Sequence, residues 1–357
     1  MASLLTFEEA QERVLAATRP LPSELVPIAE AGGRVLAEDA RARVDLPPFS
    51  SSAMDGFAVK AADLPATLPI TGESAAGSPL GRPLEPGSAA AISTGAVVPD
   101  GADCVIPIEN VVVTDNRVEI PAAGAPGANV RPRGGDIAAG DVVVPARVRL
   151  TAARIAAAAA TGIAVLPCAR RPRVSVLATG SELVAPGEDL RDGQIYESNT
   201  VMLASALAGA GAEVETEAPA ADDERALREA VQRGLAAGVL VTSGGVSVGE
   251  HDLVRAAERE LGVEEVFWRV SMKPGKPIAF GVRGETLVFG LPGNPVSALV
   301  GCELFVKPAL RALQGLADPL PRFQPGRLSS TFHVETRSLP PARRCAGSSS
   351  APEPTTR

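Results

Sequence analysis

A chain of 357 residues exceeds one ordinary domain and implies two to four, and 45% hydrophobic content with only 3% aromatics implies cores built of Ala, Val and Leu. A net charge of −8 excludes general nucleic-acid or anionic-membrane binding, so an anionic ligand must be met locally, by a few Lys or Arg or by a helix N-terminus. Four cysteines without CxxC spacing and two histidines leave no zinc or haem set; with no basic-then-apolar leader and no apolar run of membrane-spanning length, the expected location is a reducing cytoplasm.

In chain order, Thr6 and Glu9 form a capping box that opens a helix at Phe7 and carries it to about Thr18. Residues 45–136 place short apolar runs (Ile70, AAAIST, CVIPIENVVV, RVEIPA) between Gly- and Pro-rich turns, the pattern of a small β-rich domain. Thr151 caps the helix AARIAAAAA, with Gly162 as its stop. From Arg173, strands (RVSVLATG, AEVETEA, VLVTSGG) alternate with helices (TVMLASALAGAG, DDERALREAVQRGLAAG, HDLVRAAEREL). VEEVFWRV, KPIAFGV and TLVFGLPG are further strands, and NPVSALVGCELFVKPALRAL is a closing helix. This alternation specifies an α/β domain with a doubly wound, mostly parallel sheet over 173–321. The expected chain is multidomain: that sheet domain, the small β-rich domain over 45–136, and a helical and linker N-terminal domain formed by 1–44 and 137–172. From Leu339 onward Pro, Ser, Arg and Thr leave almost nothing to bury, the composition of a disordered segment.

Doubly wound sheets bind ligands at the carboxyl ends of their strands, where the loops at 180–182, 243–252 and 291–297 lie. TSGGVSVGEHD (242–252) leaves its strand through Ser243, Gly244 and Gly245 and passes Ser247 and Gly249 before Asp252. Its glycines allow bare N–H groups to approach a phosphate, and Asp252 can hold the accompanying hard cation; the glycine pattern alone favours an ordinary strand-to-helix turn. MKPGKPIAF (272–280) sets Lys273 and Lys276 on one Pro-Gly turn, where mutual repulsion gives an anion a physical motive to sit between them; two exposed lysines are the alternative. LPGNPVSA (291–298) is a Pro292 turn with Asn294 as cap and Pro295 at the first helical position, so that Ser297 and the first-turn amides face an oxyanion.

Other segments carry chemistry or merely turns. SSAMDGFAVK (51–60) holds Asp55 before Gly56, a site carboxylate or an Asp-Gly turn, and TGAVVPDGAD (94–103) puts Thr94 at a strand end. NVRPRGGDIAAGD (129–141) flanks Pro132 with Arg131 and Arg133 ahead of Asp136, suiting an oxyanion or a solvated turn. ATGSEL (178–183) brings Glu182 to a strand mouth or to a helix N-terminus. DGQIYESN (192–199) adds Asp192 and Glu197, and Asp222 is an N-cap or a ligand. No Walker A, GxGxxG or Ser-His-Asp pattern occurs. Carboxylates for a divalent metal, basic groups for an anion and glycine loops for phosphate together imply metal-assisted phosphoryl or nucleotidyl chemistry.

The segments SSAMDGFAV, STGAVVPDGAD, VRPRGGDI, ATGSEL, DGQIYESN, TSGGVSVGEHD, MKPGKP and LPGNPVSA, in order over residues 1 to about 325, resemble the molybdopterin molybdenumtransferase family, which includes the catalytic domain of gephyrin-type proteins. The resemblance implies an enzyme that inserts molybdate into adenylylated molybdopterin and releases AMP, with Mg²⁺ as cofactor, no nucleic-acid or membrane partner, and a homodimer whose small β domain reaches toward the partner's α/β domain. It makes 173–321 the molybdopterin-binding domain. It places Lys273, Lys276 and Ser297 at molybdate, Asp252 on Mg²⁺ with Glu182 and Asp222 as further metal candidates, and Asp55, Asp136, Glu182 and Asp252 as catalytic candidates. The remaining substrate-binding candidates are Thr94, Arg131, Arg133, Ser243, Gly244, Gly245, Ser247, Gly249, Pro292, Asn294 and Pro295. The family's last domain, a β barrel, would begin near Arg322; the resemblance stops after about Thr331, making 322–357 an expected remnant, mostly disordered. One alternative is therefore a molybdopterin- or AMP-binding protein inactive in metal insertion. Another is a competence-damage-type nucleotide hydrolase on the same α/β module, against which segments 51–60 and 129–136 argue.

Overall fold

A computed structural model describes residues 4–217, 224–244, 253–324, 326 and 343–344. The first helix, α1 (Phe7–Ala16), starts at the capping box: Thr6 Oγ1 accepts the Glu9 N–H at 3.2 Å, and the Glu9 carboxylate accepts the Thr6 N–H at 2.8 Å. It ends two residues before Thr18, because Pro20 and Pro22 cannot continue a helix and disfavour helical backbone just ahead of them.

Strands β1 (Ser23–Pro27), β2 (Ala40–Arg41) and β3 (Ser51–Ser52) lead into β4 (Gly56–Val59), β5 (Ala66–Ser74), β6 (Ala89–Ile92), β7 (Cys104–Pro107), β8 (Val112–Thr114) and β9 (Arg117–Ile120). The chain returns through β10 (Val130–Arg131), β11 (Val142–Val144), α2 (Ala152–Ala160) and β12 (Val165–Ala169). Then follow β13 (Arg173–Ala178), β14 (Leu183–Val184), β15 (Ile195–Tyr196), α3 (Asn199–Gly209), β16 (Glu213–Thr216), α4 (Glu224–Gly234), β17 (Val239–Ser243), α5 (Leu253–Glu260), β18 (Glu264–Trp268) and β19 (Met272–Lys273). The described chain closes with β20 (Ala279–Arg283), β21 (Thr286–Leu291), α6 (Pro295–Gly301), a π-helical turn (Cys302–Val306), α7 (Lys307–Leu313) and β22 (Arg343–Arg344).

Antiparallel pairing of β1 with β12 and of β2 with β11 gathers residues 23–41 and 142–169 around Val26, Leu36, Val144, Leu150 and Leu166, with Ala158 of α2 inside. The small six-stranded sheet runs β7-β4-β6-β5-β9-β8 over a core of Phe57, Val59, Leu68, Cys104, Val118 and Ile120. In β9, Val118 and Ile120 are buried while Arg117 and Glu119 face water, the period-two alternation of a sheet with one wet face.

The larger sheet runs β16-β13-β17-β21-β20-β18. Its first four strands are parallel, as expected, and β20 runs antiparallel to both β21 and β18. The reversal follows from loop length: only Gly284 and Glu285 separate β20 from β21, with Gly284 at φ +58°, and a parallel crossover needs a dozen residues or more. Every residue of β17 is buried, as a strand covered on both faces requires. One face packs Leu227 and Val231 of α4 and Val254 of α5; the other packs Leu203 and Leu207 of α3 with Phe305 and Leu310.

Helix α1 also lies on that second face. Phe7, Ala10 and Val14 enter the same core, Phe7 meets Phe305 edge-on at 5.7 Å, and Gln11 Nε2 donates to the Leu304 carbonyl at 2.8 Å. This stretch of the 1–44 segment thus packs on the α/β core, while residues 23–41 pack with 142–169. Within the segment expected to be disordered, Arg343–Arg344 pairs in parallel with Met272–Lys273. No helix among the described residues is long and apolar enough to cross a membrane.

Candidate functional site

Parallel strands β13, β17 and β21 end in register, Ala178 beside Ser243 and Ser243 beside Leu291. Their loops continue the contact: Thr179 N–H donates to the Ser243 carbonyl at 3.0 Å, and Gly244 N–H to the Leu291 carbonyl at 3.1 Å. Gly244 has φ +94°, and a Cβ there would stand 2.6 Å from the Thr179 carbonyl oxygen, so only glycine lets the chain leave β17 along this path. Ser243 is buried. Gly245, Ser247, Gly249 and Asp252, together with Asp222, lie outside the described residues.

At the end of β21, Pro292 is buried and Asn294 caps α6: its side chain accepts the N–H groups of Val296 at 3.1 Å and Ser297 at 3.3 Å. Pro295 occupies the first helical turn. This corrects one expectation, that the first-turn amides face a ligand oxyanion. Two of them are already satisfied by Asn294, as an N-cap side chain does, so half-buried Ser297 has its hydroxyl to offer and not its N–H.

Lys273 and Lys276 stand on one turn, closed by Val270 N–H to the Lys276 carbonyl at 3.0 Å and Arg269 N–H to the Ile278 carbonyl at 2.9 Å. Gly275, at φ +100°, packs so closely on Met272 and Ile278 that a Cβ would meet the Met272 methyl at 2.9 Å. Both lysines are exposed, and neither forms an ion pair among the described residues. The exposed Glu182 folds its carboxylate back over Gly180, where a Cβ would lie 2.5 Å from Glu182 Oε2. Among the described residues no group of three His, Cys, Asp or Glu could hold a metal ion.

The remaining expected residues belong to the small β unit and its flanks. Asp55 Oδ1 accepts the Thr94 N–H at 2.6 Å and the Thr94 hydroxyl at 3.0 Å; the backbone bond first, then the hydroxyl, hold the Asp55 carboxyl below the usual carboxylate range. Arg131 pairs with Asp136. Arg133 Nε donates to Asp45 Oδ2 at 2.6 Å, and Asp45 Oδ1 also accepts the Ala139 N–H at 2.8 Å. That amide, followed by Arg133, lowers the Asp45 carboxyl. Both arginines expected to await an oxyanion are therefore matched to carboxylates of their own unit.

Two residues at these sites escaped sequence reasoning. Asp45 carries no motif signal, since its partner lies 88 positions away. Asn199 ends the DGQIYESN segment, whose carboxylates Asp192 and Glu197 are its more evident candidates. Its Nδ2 donates to Ser243 Oγ at 2.9 Å and to the Gly293 carbonyl at 2.8 Å. Asp192 is exposed, and Glu197 is buried with Oε1 accepting the Thr200 N–H at 2.8 Å. The only sign of Asn199 in the sequence is a polar residue opening the apolar helix TVMLASALAGAG.

Residues 5–162 match the MoeA N-terminal region (domain I and II), and residues 175–312 match a probable molybdopterin binding domain. Molybdopterin molybdenumtransferase 2 of Mycobacterium tuberculosis H37Rv is 40% identical over 334 residues, covering 89% of this chain and 81% of that protein. The molybdopterin molybdenumtransferase of Haemophilus influenzae is 38% identical over 317 residues, covering 87% and 78%. Among solved structures, the molybdopterin biosynthesis moeA protein from Pyrococcus horikoshii OT3 superposes with a TM-score of 0.78 at 30% identity, covering 89% of this chain and 81% of that one. Sequence and fold agree over both halves of the molecule: the chain belongs to the molybdopterin molybdenumtransferase family.

Proposed function

We propose that this chain is a molybdopterin molybdenumtransferase, inserting molybdate into adenylylated molybdopterin with release of AMP. The observation that carries this is the convergence at one sheet end of a glycine exit loop and a Pro-Asn-capped helix, with two lysines on the turn after β18 that have no carboxylate partner among the described residues. The named relatives support it, and the binding-only alternative is not favoured. The match of residues 5–162 sets the chain apart from a nucleotide hydrolase built on the α/β module alone.

In this proposal Lys273 and Lys276 receive molybdate as substrate, with the Ser297 hydroxyl beside them, each through charge-assisted or neutral hydrogen bonds. The Gly244–Gly249 loop cradles the nucleotide phosphate with its N–H groups, and Pro292, Asn294 and Pro295 shape the adjoining wall. Asp55, Thr94, Asp136, Arg131 and Arg133 form a second wall on the small β unit, offered to the partner protomer of a homodimer. The proposed functional units are 1–44 with 137–172, 45–136 and 173–321, with helix α1 of the first seated on the core of the last, and the proposed location is the cytoplasm.

Mg²⁺ is the proposed cofactor, held by Asp252 with Asp222 and Glu182; when bound it neutralises phosphoanhydride charge. The described residues alone do not make such a site, since Glu182 stands exposed and ungrouped with other carboxylates. The test is AMP release from adenylylated molybdopterin by the full chain with molybdate, with and without Mg²⁺. Release is expected above the protein-free rate, dependent on Mg²⁺, and lowered roughly a hundredfold or more in Asp252→Asn, which keeps size and loses charge. No release overturns the assigned activity; release indifferent to Mg²⁺ or to Asp252→Asn overturns the metal assignment.

A further inference from the structure

Asn199 is the first residue of α3, yet its side chain works across three segments. Both of its hydrogen bonds leave one nitrogen, to Ser243 Oγ at 2.9 Å and to the Gly293 carbonyl at 2.8 Å. A carbonyl can only accept, so the amide orientation is dictated by chemistry: the nitrogen must face Gly293. Asn199 Oδ1 is shielded from solvent and has no partner among the described residues. Everything this side chain does for its neighbours therefore depends on one NH₂ group.

Its two partners are the roots of the two site loops. Ser243 is the last residue of β17 and precedes Gly244, and Gly293 lies between the buried Pro292 and the helix cap Asn294. The donor itself is held still. Glu197, just ahead of it, donates its N–H to the Val184 carbonyl at 2.8 Å and accepts the Thr200 N–H at 2.8 Å, and Leu203 and Leu207 bury α3 against the sheet.

We infer that Asn199 is a positioning residue: it clamps the exit of the β17 loop to the loop before α6, setting the spacing between the phosphate cradle and the Ser297 wall. Its use in binding rests on the function proposed above, whereas the clamp is a property of the protein alone. A shift of about 1 Å in positioned groups costs on the order of a hundredfold in rate, so a side chain that touches no ligand can still govern the site.

Asn199→Ala and Asn199→Asp in the full chain separate this role from mere support of α3. N199D keeps the shape, and a carboxylate in a first helical turn favours the helix dipole, so a supporting role predicts a variant as stable and as competent as the parent. A clamp predicts failure, because N199D has no N–H to donate and turns an oxygen on the Gly293 carbonyl. Expected for both variants are near-parental circular dichroism, amide exchange at Gly244 and Thr179 faster by roughly tenfold, and AMP affinity lower by roughly tenfold, as loss of about one hydrogen bond's worth of order implies. Parental exchange at Gly244 or parental AMP affinity in N199D overturns the proposal. So does failure of both variants to fold, which would make Asn199 structural. If the parent protein releases no AMP from adenylylated molybdopterin, the assigned activity falls, and exchange at Gly244 still decides the clamp.

Discussion

On the small β unit, every charged residue expected to serve a ligand already has a partner: Asp55 with Thr94, Arg131 with Asp136, Arg133 with Asp45. At the mouth of the α/β sheet the order comes from the backbone instead, through the Thr179–Ser243 and Gly244–Leu291 bonds and the turn under Lys273 and Lys276, and the two lysines are left without carboxylates among the described residues. The difference decides where an anion gains most. A guanidinium held by a carboxylate has little charge to offer until that pair is broken, while an unpaired ammonium on a rigid turn interacts at once. The first region is arranged as a wall and the second as a receptor.

The strongest way to break this contrast is Gly244→Ala. Left-handed backbone and a 2.6 Å approach to the Thr179 oxygen should together cost about 2–4 kcal/mol, read as a fall of several degrees in the thermal midpoint and loss of AMP binding in calorimetry. A parental midpoint would show that the strand exit tolerates a side chain and is no special cradle.

Next come Lys273→Ala and Lys276→Ala. Each should lose about 1.5–3 kcal/mol of molybdate affinity, roughly ten- to a hundredfold, with AMP affinity little changed. Titrations with each ligand separately decide, and equal losses would move the lysines onto the nucleotide.

Smaller effects are expected on the β unit. Arg131→Ala and Arg133→Ala should change molybdate or AMP affinity by about threefold or less, as exposed ion pairs usually do; a tenfold loss would restore these arginines as oxyanion ligands and erase the contrast. The smallest effect is in pH. Hydrogen bonds from Thr94 favour ionised Asp55 and lower its folded pKa, so the stability they contribute is fully present above the unfolded carboxylate value of about 3.9 and is lost as pH falls through the lower folded value. A carboxyl-carbon NMR titration should place the Asp55 midpoint below the usual range and shift it up in Thr94→Val. A midpoint at the ordinary value would mean that the Asp55–Thr94 bonds do not persist in solution.

Features governed by neighbours in the chain were legible in the residues themselves. The Thr6–Glu9 capping box, the Thr151 cap with its Arg154 partner, and the Asn294-Pro295 start of α6 each depend on groups within three positions. So do the strand ends carrying the glycine loops, because β-branched runs and glycines sort locally. What tertiary structure alone decided involves partners far apart in sequence: α1 seated on Phe305, Arg133 claimed by Asp45, and Asn199 reaching Ser243 across 44 positions and Gly293 across 94. The physical reason is that periodicity and capping record what a residue needs from water and from its own turn of backbone. Which distant donor finally meets a given carbonyl or carboxylate is settled only when the strands are ordered and the chain has closed around them.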